Sequence, residues 1–167
     1  MKILAWNCRG LGNRLAVQEL VDIVQAQDPS IVFLFEMWSD WEQMVGIKER
    51  LDFGDLCIVP SEGRGGGLAL LWKSNIKVWV DSFSKYHIDS VIEGGSENAW
   101  RLTGFYGKLD TYHRSEGWSM LCMLGSKLTC PGAALGILMS FWRVRHIHCF
   151  TSDHHPILLA LNPNGEH

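Results

Sequence analysis

The 167-residue sequence has no C-x-x-C spacing, no excess of positive charge and no long apolar run. Each absence removes a class of function. Its five cysteines (Cys8, Cys57, Cys122, Cys130, Cys149) are odd in number and scattered, which argues against a disulfide framework or a zinc ribbon and favours a reducing compartment. With 15 Lys and Arg against 18 Asp and Glu the formal net charge is −3, so any nucleic-acid partner has to be met by a local basic patch. No apolar stretch approaches the roughly 20 residues of a membrane helix, and the Ile3–Trp6 run is too short for a signal peptide. A soluble intracellular protein, cytoplasmic or nuclear and without a membrane partner, is the expectation.

What the chain does have is a hydrophobic content of 47%, enough for one core-bearing domain at this length. Residues 1–161 read as that domain and 162–167 as a tail. Ile3–Trp6 predicts a buried strand opening into the Gly10/Gly12 loop. Apolar residues from Leu15 to Val24 recur at helical spacing, and Pro29 closes the predicted helix over 13–27. Ile31-Val-Phe-Leu-Phe35 is a second short buried strand, and it delivers Glu36 at its end. Strand, helix, strand in this order implies an α/β domain with a parallel pair at its centre.

Ser39 is the expected cap of a second helix reaching Leu51, with Trp41, Met44, Val45 and Ile47 as its apolar positions. Further strands are predicted over 56–59, 67–72, 76–83, 87–92, 100–106, 142–150 and 156–161, with a helix over 111–127. Between Thr129 and Ser140 the pattern has no period. Gly65-Gly-Gly67 lacks the Lys-Ser/Thr of a phosphate loop and reads as a hairpin turn.

Four places put polar groups at strand ends, where α/β domains gather their sites. Asn7 offers an amide able to orient a carboxylate or a metal-bound water, or it simply helps the chain turn. Glu36 offers the hard oxygen that Mg²⁺ prefers, or a solvated carboxylate. Tyr106 offers a phenol for a phosphate oxygen, or a ring for the core. Asp153 beside His154 suits proton transfer or charge stabilisation, and a plain turn could use the same pair. A separate cluster of His146, His148, Cys149, His154 and His155 could bind zinc, with His146 and His148 on one strand face.

Taken in order, Trp6-Asn-Cys-Arg-Gly-Leu-Gly12, Phe35-Glu36, Gly104-Phe-Tyr-Gly107 and Ser152-Asp-His-His-Pro156 resemble the endonuclease/exonuclease/phosphatase family. The opening through Asn13 and Arg64-Gly-Gly-Gly-Leu-Ala-Leu-Leu-Trp72 resemble the endonuclease domain of plant LINE-type (non-LTR) retrotransposons in particular. The resemblance implies a two-sheet, four-layer α/β sandwich that hydrolyses nucleic-acid phosphodiester bonds with Mg²⁺ or Mn²⁺. DNA is the implied partner, and in intact relatives the domain is part of a longer retroelement polyprotein. It also implies that Glu36 and Asn7 hold the metal, that Tyr106 contacts the scissile phosphate, and that Asp153 orients a catalytic His154.

One departure stands out. The family carries a Gly-Asp-Phe-Asn type segment between the tyrosine strand and the final Ser-Asp-His, and its Asp and Asn act directly in catalysis. Here residues 128–141 hold only an irregular apolar stretch, as though a segment had been deleted. An incomplete sandwich with impaired activity is therefore expected. A non-catalytic retroelement remnant and a zinc-binding interaction module are the alternatives.

Overall fold

The computed structural model describes residues 1–61, 66–97, 99–106, 119 and 142–161. Strand β1 (Lys2–Asn7), helix α1 (Arg14–Gln27) and strand β2 (Ile31–Phe35) form a strand–helix–strand unit, with β1 and β2 parallel and Asn7 opposite Phe35. After helix α2 (Trp41–Arg50) come β3 (Asp55–Val59) and β4 (Leu68–Trp72), an antiparallel hairpin whose second strand pairs with β2. Strands β5 (Val78–Ser84), β6 (His87–Ile92) and β7 (Trp100–Phe105) form a separate antiparallel sheet. Finally β8 (Trp142–His146) and β9 (Ile157–Leu161) return to the first sheet, giving the order β3-β4-β2-β1-β9-β8.

Alternation along the strands decides which layer each side chain joins. Leu4, Trp6, Val32, Leu34 and Leu71 share one core with Leu20 and Val24 of α1 and Met44 and Ile47 of α2. Ile3, Ile31, Phe33, Leu70 and Trp72 share the other with Ile88 and Ile92 of β6. The six-stranded sheet is thus sandwiched between helices and a second sheet. This is the two-sheet α/β sandwich expected from the sequence, and it explains why β2 and β4 are apolar at every position: both of their faces are covered.

Several boundaries differ from the sequence reading. Asp40, not Ser39, caps α2: its side chain accepts from Gln43 N at 2.9 Å, while the Ser39 hydroxyl donates to Met37 O. Trp41 and Leu15, both counted as core positions, are exposed. The strand expected over 142–150 stops at His146. A buried polar group was also missed. Asp89 on β6 is fully buried, and it accepts hydrogen bonds from Arg101 Nε at 2.9 and 3.1 Å and from Thr103 Oγ1 at 2.7 Å, so its charge is answered within the sheet. The helix expected over 111–127, the irregular stretch at 128–141 and the 162–167 tail lie outside the described residues, Ser119 apart. Among the described residues, no helix is long and apolar enough to cross a membrane.

Candidate functional site

The ends of β1, β2 and β7 meet the loop between β8 and β9, and every strand-end residue singled out in the sequence lies there. Parallel pairing sets Asn7 against Phe35, so Glu36 leaves β2 beside the end of β1. From the other sheet Tyr106 reaches across, its ring 6.1 Å from that of Phe35, and its hydroxyl donates to Glu36 Oε1. Arg9 joins the remaining parts: its Nε is 3.8 Å from Glu36 Oε2, and a terminal guanidinium nitrogen is 3.0 Å from Asp153 Oδ2. Asp153 presents its other oxygen to His154 Nε2 at 3.7 Å, an ion-pair distance longer than a hydrogen bond. One polar network therefore runs Tyr106–Glu36–Arg9–Asp153–His154, from one sheet to the last loop.

Backbone strain is concentrated in the same place. Arg9 (φ +46°), Glu36 (φ +51°) and Trp38 (φ +47°) all adopt the left-handed conformation without being glycine, at a cost of order 1–3 kcal/mol each. The surroundings hold them there. Leu11 N donates to Met37 O at 2.7 Å, Cys8 N donates to Phe35 O at 3.1 Å, and Met37 is fully buried.

The His154 loop is fixed with similar thoroughness. Ser152 Oγ donates to Asn7 O at 2.8 Å, the Trp6 indole N–H donates to His154 O at 2.9 Å, and Cys149 Sγ lies 3.4 Å from the carbonyl oxygens of Ser152 and His154. From α1, the Glu19 carboxylate accepts the N–H groups of Phe150 and Thr151 at 2.5 and 2.9 Å. None of Arg9, Glu19 or Ser152 was picked out as a functional position in the sequence. Arg9 stood inside the opening motif, but only its left-handed backbone aims it between the two carboxylates.

Glu36 is well shielded, its side chain 17% exposed, yet it is reached by a hydroxyl and a guanidinium. Tyr106 is correspondingly pushed up to about 12, first by burial and then by its hydrogen bond to, and the charge of, Glu36. Burial, with a smaller contribution from Glu36, also pushes the Cys8 thiol up to about 12. For both groups the folded state holds its proton more tightly than the unfolded chain. Between the ordinary values (9.0 for Cys8, 10.0 for Tyr106) and about 12 the unfolded state binds fewer protons, so stability falls as pH rises. Thermal melts from pH 8 upward should show the midpoint declining from near the ordinary thiol value, and Cys8→Ala should flatten the first part of the decline. A midpoint independent of pH over this window would contradict the burial of Cys8 and the partial burial of Tyr106 against Glu36.

Hard oxygen donors suit Mg²⁺ or Mn²⁺, which need one or two carboxylates and keep several waters. Glu36 offers one such carboxylate, and Asn7, at the end of neighbouring strand β1, accepts the Arg9 N–H on its amide oxygen at 3.4 Å. Zinc fares differently. His148 lies beyond the end of β8, its ring 4.6 Å from Phe150 and 5.4 Å from His155, so strand alternation does not bring it beside His146. Among the described residues, no three His, Cys, Asp or Glu side chains gather closely enough to hold a metal.

The sequence matches the Endonuclease/Exonuclease/phosphatase family over residues 4–160. The chain belongs to that family. Solved structures share the fold. The human Nocturnin catalytic domain superposes with a TM-score of 0.68 at 11% identity, covering 95% of this chain and 92% of that one. TDP2 from D. rerio, humanized by 14 mutations, gives 0.65 at 14%, with 95% and 97% covered. The endonuclease domain of TRAS1, a telomere-specific non-LTR retrotransposon, gives 0.63 at 12%, with 96% and 97% covered. No curated protein sequence matches the chain. As a member of this endonuclease/exonuclease/phosphatase family, the protein carries its polar network where the two sheets open onto the loops.

Proposed function

We propose that the chain is a nucleic-acid phosphodiesterase domain, by descent the endonuclease domain of a plant LINE-type retroelement, and that an internal deletion near residues 128–141 has impaired its turnover. The observation that carries the reading is the convergence of Glu36, Tyr106, Asp153 and His154 from distant parts of the sequence onto one network through Arg9, with Asn7 at the end of the adjacent strand. Its placement in the family and its fold likeness to a retrotransposon endonuclease domain support the same reading.

In this proposal Glu36 and Asn7 hold a Mg²⁺ or Mn²⁺ ion, which when bound supplies positive charge beside the reacting phosphate and acidifies a water. Tyr106 turns its single hydroxyl proton from Glu36 to a phosphate oxygen when substrate is present. Arg9, anchored on Asp153, offers its guanidinium to the same phosphate. His154, set by Asp153 and by the Trp6 hydrogen bond to its carbonyl, handles a proton or stabilises developing charge. The chain lacks the family's Asp and Asn between Tyr106 and Asp153, groups commonly worth roughly a factor of 10² or more each. DNA is the partner favoured by the retroelement resemblance.

Metal binding tests the site independently of turnover. A ligand that binds only the native state raises its stability, so Mg²⁺ or Mn²⁺ should raise the melting midpoint of the wild type. Glu36→Gln, which keeps the shape and removes the charge, should abolish most of that rise. Equal shifts for the two proteins would place the ion elsewhere and remove the basis of the proposal.

A further inference from the structure

Trp38 is a large aromatic side chain left 46% exposed beside the polar network, on a loop held by buried Met37 and by backbone hydrogen bonds. It stands two residues after Glu36, and its indole lies against the turn that carries Arg9. A Cβ built on Gly10 (φ +104°) would lie 2.6 Å from Trp38 Cε3, so only glycine lets the ring occupy this position. Neighbouring contacts pin the loop. Met37 is fully buried, Met37 O accepts from Leu11 N and from the Ser39 hydroxyl, and Trp38 N points to Gly66 O at 3.5 Å. Holding a tryptophan in the left-handed conformation with half its surface in water returns little to stability. A preformed aromatic face beside a phosphate-binding centre has a direct chemical use: it can receive an unstacked base.

We propose that Trp38 is a stacking platform for an unpaired base next to the phosphate engaged by Arg9, Tyr106 and His154, so that the preferred ligand is a single-stranded or locally opened nucleic acid. This rests on the phosphodiesterase reading above and assigns that site a feature of its substrate. Loss of the ring should weaken binding without regard to which base is present, because every base has a π-face.

The test is fluorescence anisotropy with a short labelled single-stranded oligodeoxynucleotide in Mg²⁺, intact strand being verified on a gel. Each base is removed in turn to leave an abasic sugar. For the wild type, one abasic position should weaken binding about tenfold, the scale of one base–aromatic stack. Trp38→Ala should weaken binding of the intact strand by a similar factor and become insensitive to that abasic position, while Trp38→Phe keeps most of the affinity. If Trp38→Ala binds as tightly as the wild type, the platform is overturned and the phosphodiesterase reading stands. An abasic scan that leaves wild-type affinity unchanged everywhere overturns it without recourse to any variant. Absence of wild-type binding to any oligonucleotide would overturn the nucleic-acid reading itself, and the platform with it.

Discussion

Trp6→Ala should lower the free energy of unfolding by about 3–5 kcal/mol, the range found when a buried aromatic is truncated in a core that cannot close over the gap. Trp6 is 1% exposed and sits in the helix-facing core beside Leu4 and Leu34. Its indole N–H also holds His154 O at 2.9 Å, so the substitution leaves that carbonyl only the weakly donating Cys149 thiol at 3.4 Å and loosens the loop carrying Asp153 and His154. Against a total stability of about 5–15 kcal/mol this is a large share, and the melting midpoint should fall by about 10 °C or more. Trp6→Phe separates the two contributions, since it keeps most of the ring and loses the donor, at an expected cost of about 1–2 kcal/mol from the bond. Urea unfolding of both variants measures this. A Trp6→Ala protein within about 1 kcal/mol of the wild type would mean that the core closes over the missing ring, contrary to close packing.

Gly104→Ala is the second severe substitution, for the opposite reason. A Cβ at Gly104 of β7 would stand 1.9 Å from Phe33 Cε2 and 2.0 Å from Cζ, well inside contact distance. Phe33 is 3% exposed on central strand β2, and its ring packs against Phe35 at 4.6 Å, so it has little room to retreat. Overpacking of this kind typically costs about 1–3 kcal/mol and occasionally more, and the depth of this clash places the expected loss at or above about 3 kcal/mol. The site should suffer as well. Tyr106 lies two residues beyond Gly104, and a separation of the sheets draws its hydroxyl away from Glu36. Because the clash is with one ring, Phe33→Leu should recover part of the loss, giving a coupling of 1 kcal/mol or more in a double-mutant cycle, within the usual range of about 0.5–3 kcal/mol. Additive effects of the two substitutions would show that the strain falls elsewhere.

Both predictions turn on features that the sequence showed unevenly. Unbroken apolar runs at Ile31–Phe35 and Leu68–Trp72 marked strands covered on both faces, and the order strand–helix–strand implied the parallel pair that the structure has at its centre. Asn7, Glu36 and Tyr106 were visible because polar groups at the ends of buried strands are few. Arg9 was not: a basic residue in a glycine-rich turn carries no sign of direction, and its bridge from Glu36 to Asp153 depends on a backbone φ of +46°. Glu19 read as an ordinary polar position of α1, although it holds the loop leading to Asp153.

Asp89 was hidden for another reason. Within His87–Ile92 alternation puts Asp89 on the face away from Ile88 and Ile92, where a carboxylate reads as solvated, whereas here Arg101 and Thr103 of β7 stand on that same face and bury it. At the start of α2 the sequence pointed to Ser39, but its hydroxyl is spent on Met37 O, and Asp40, a residue type equally suited to capping, accepts from Gln43 N instead.

Nicking of supercoiled plasmid DNA by the purified protein with Mg²⁺ or Mn²⁺, beside His154→Ala, tests the account most directly. The account predicts little or no nicking by folded wild-type protein, with any residual activity dependent on both the metal and His154, and a clear gain when the family's Gly-Asp-Phe-Asn segment is restored between Tyr106 and Asp153. Vigorous nicking by the present sequence that vanishes in His154→Ala would contradict the proposed impairment and show that the residues already gathered around Glu36 suffice.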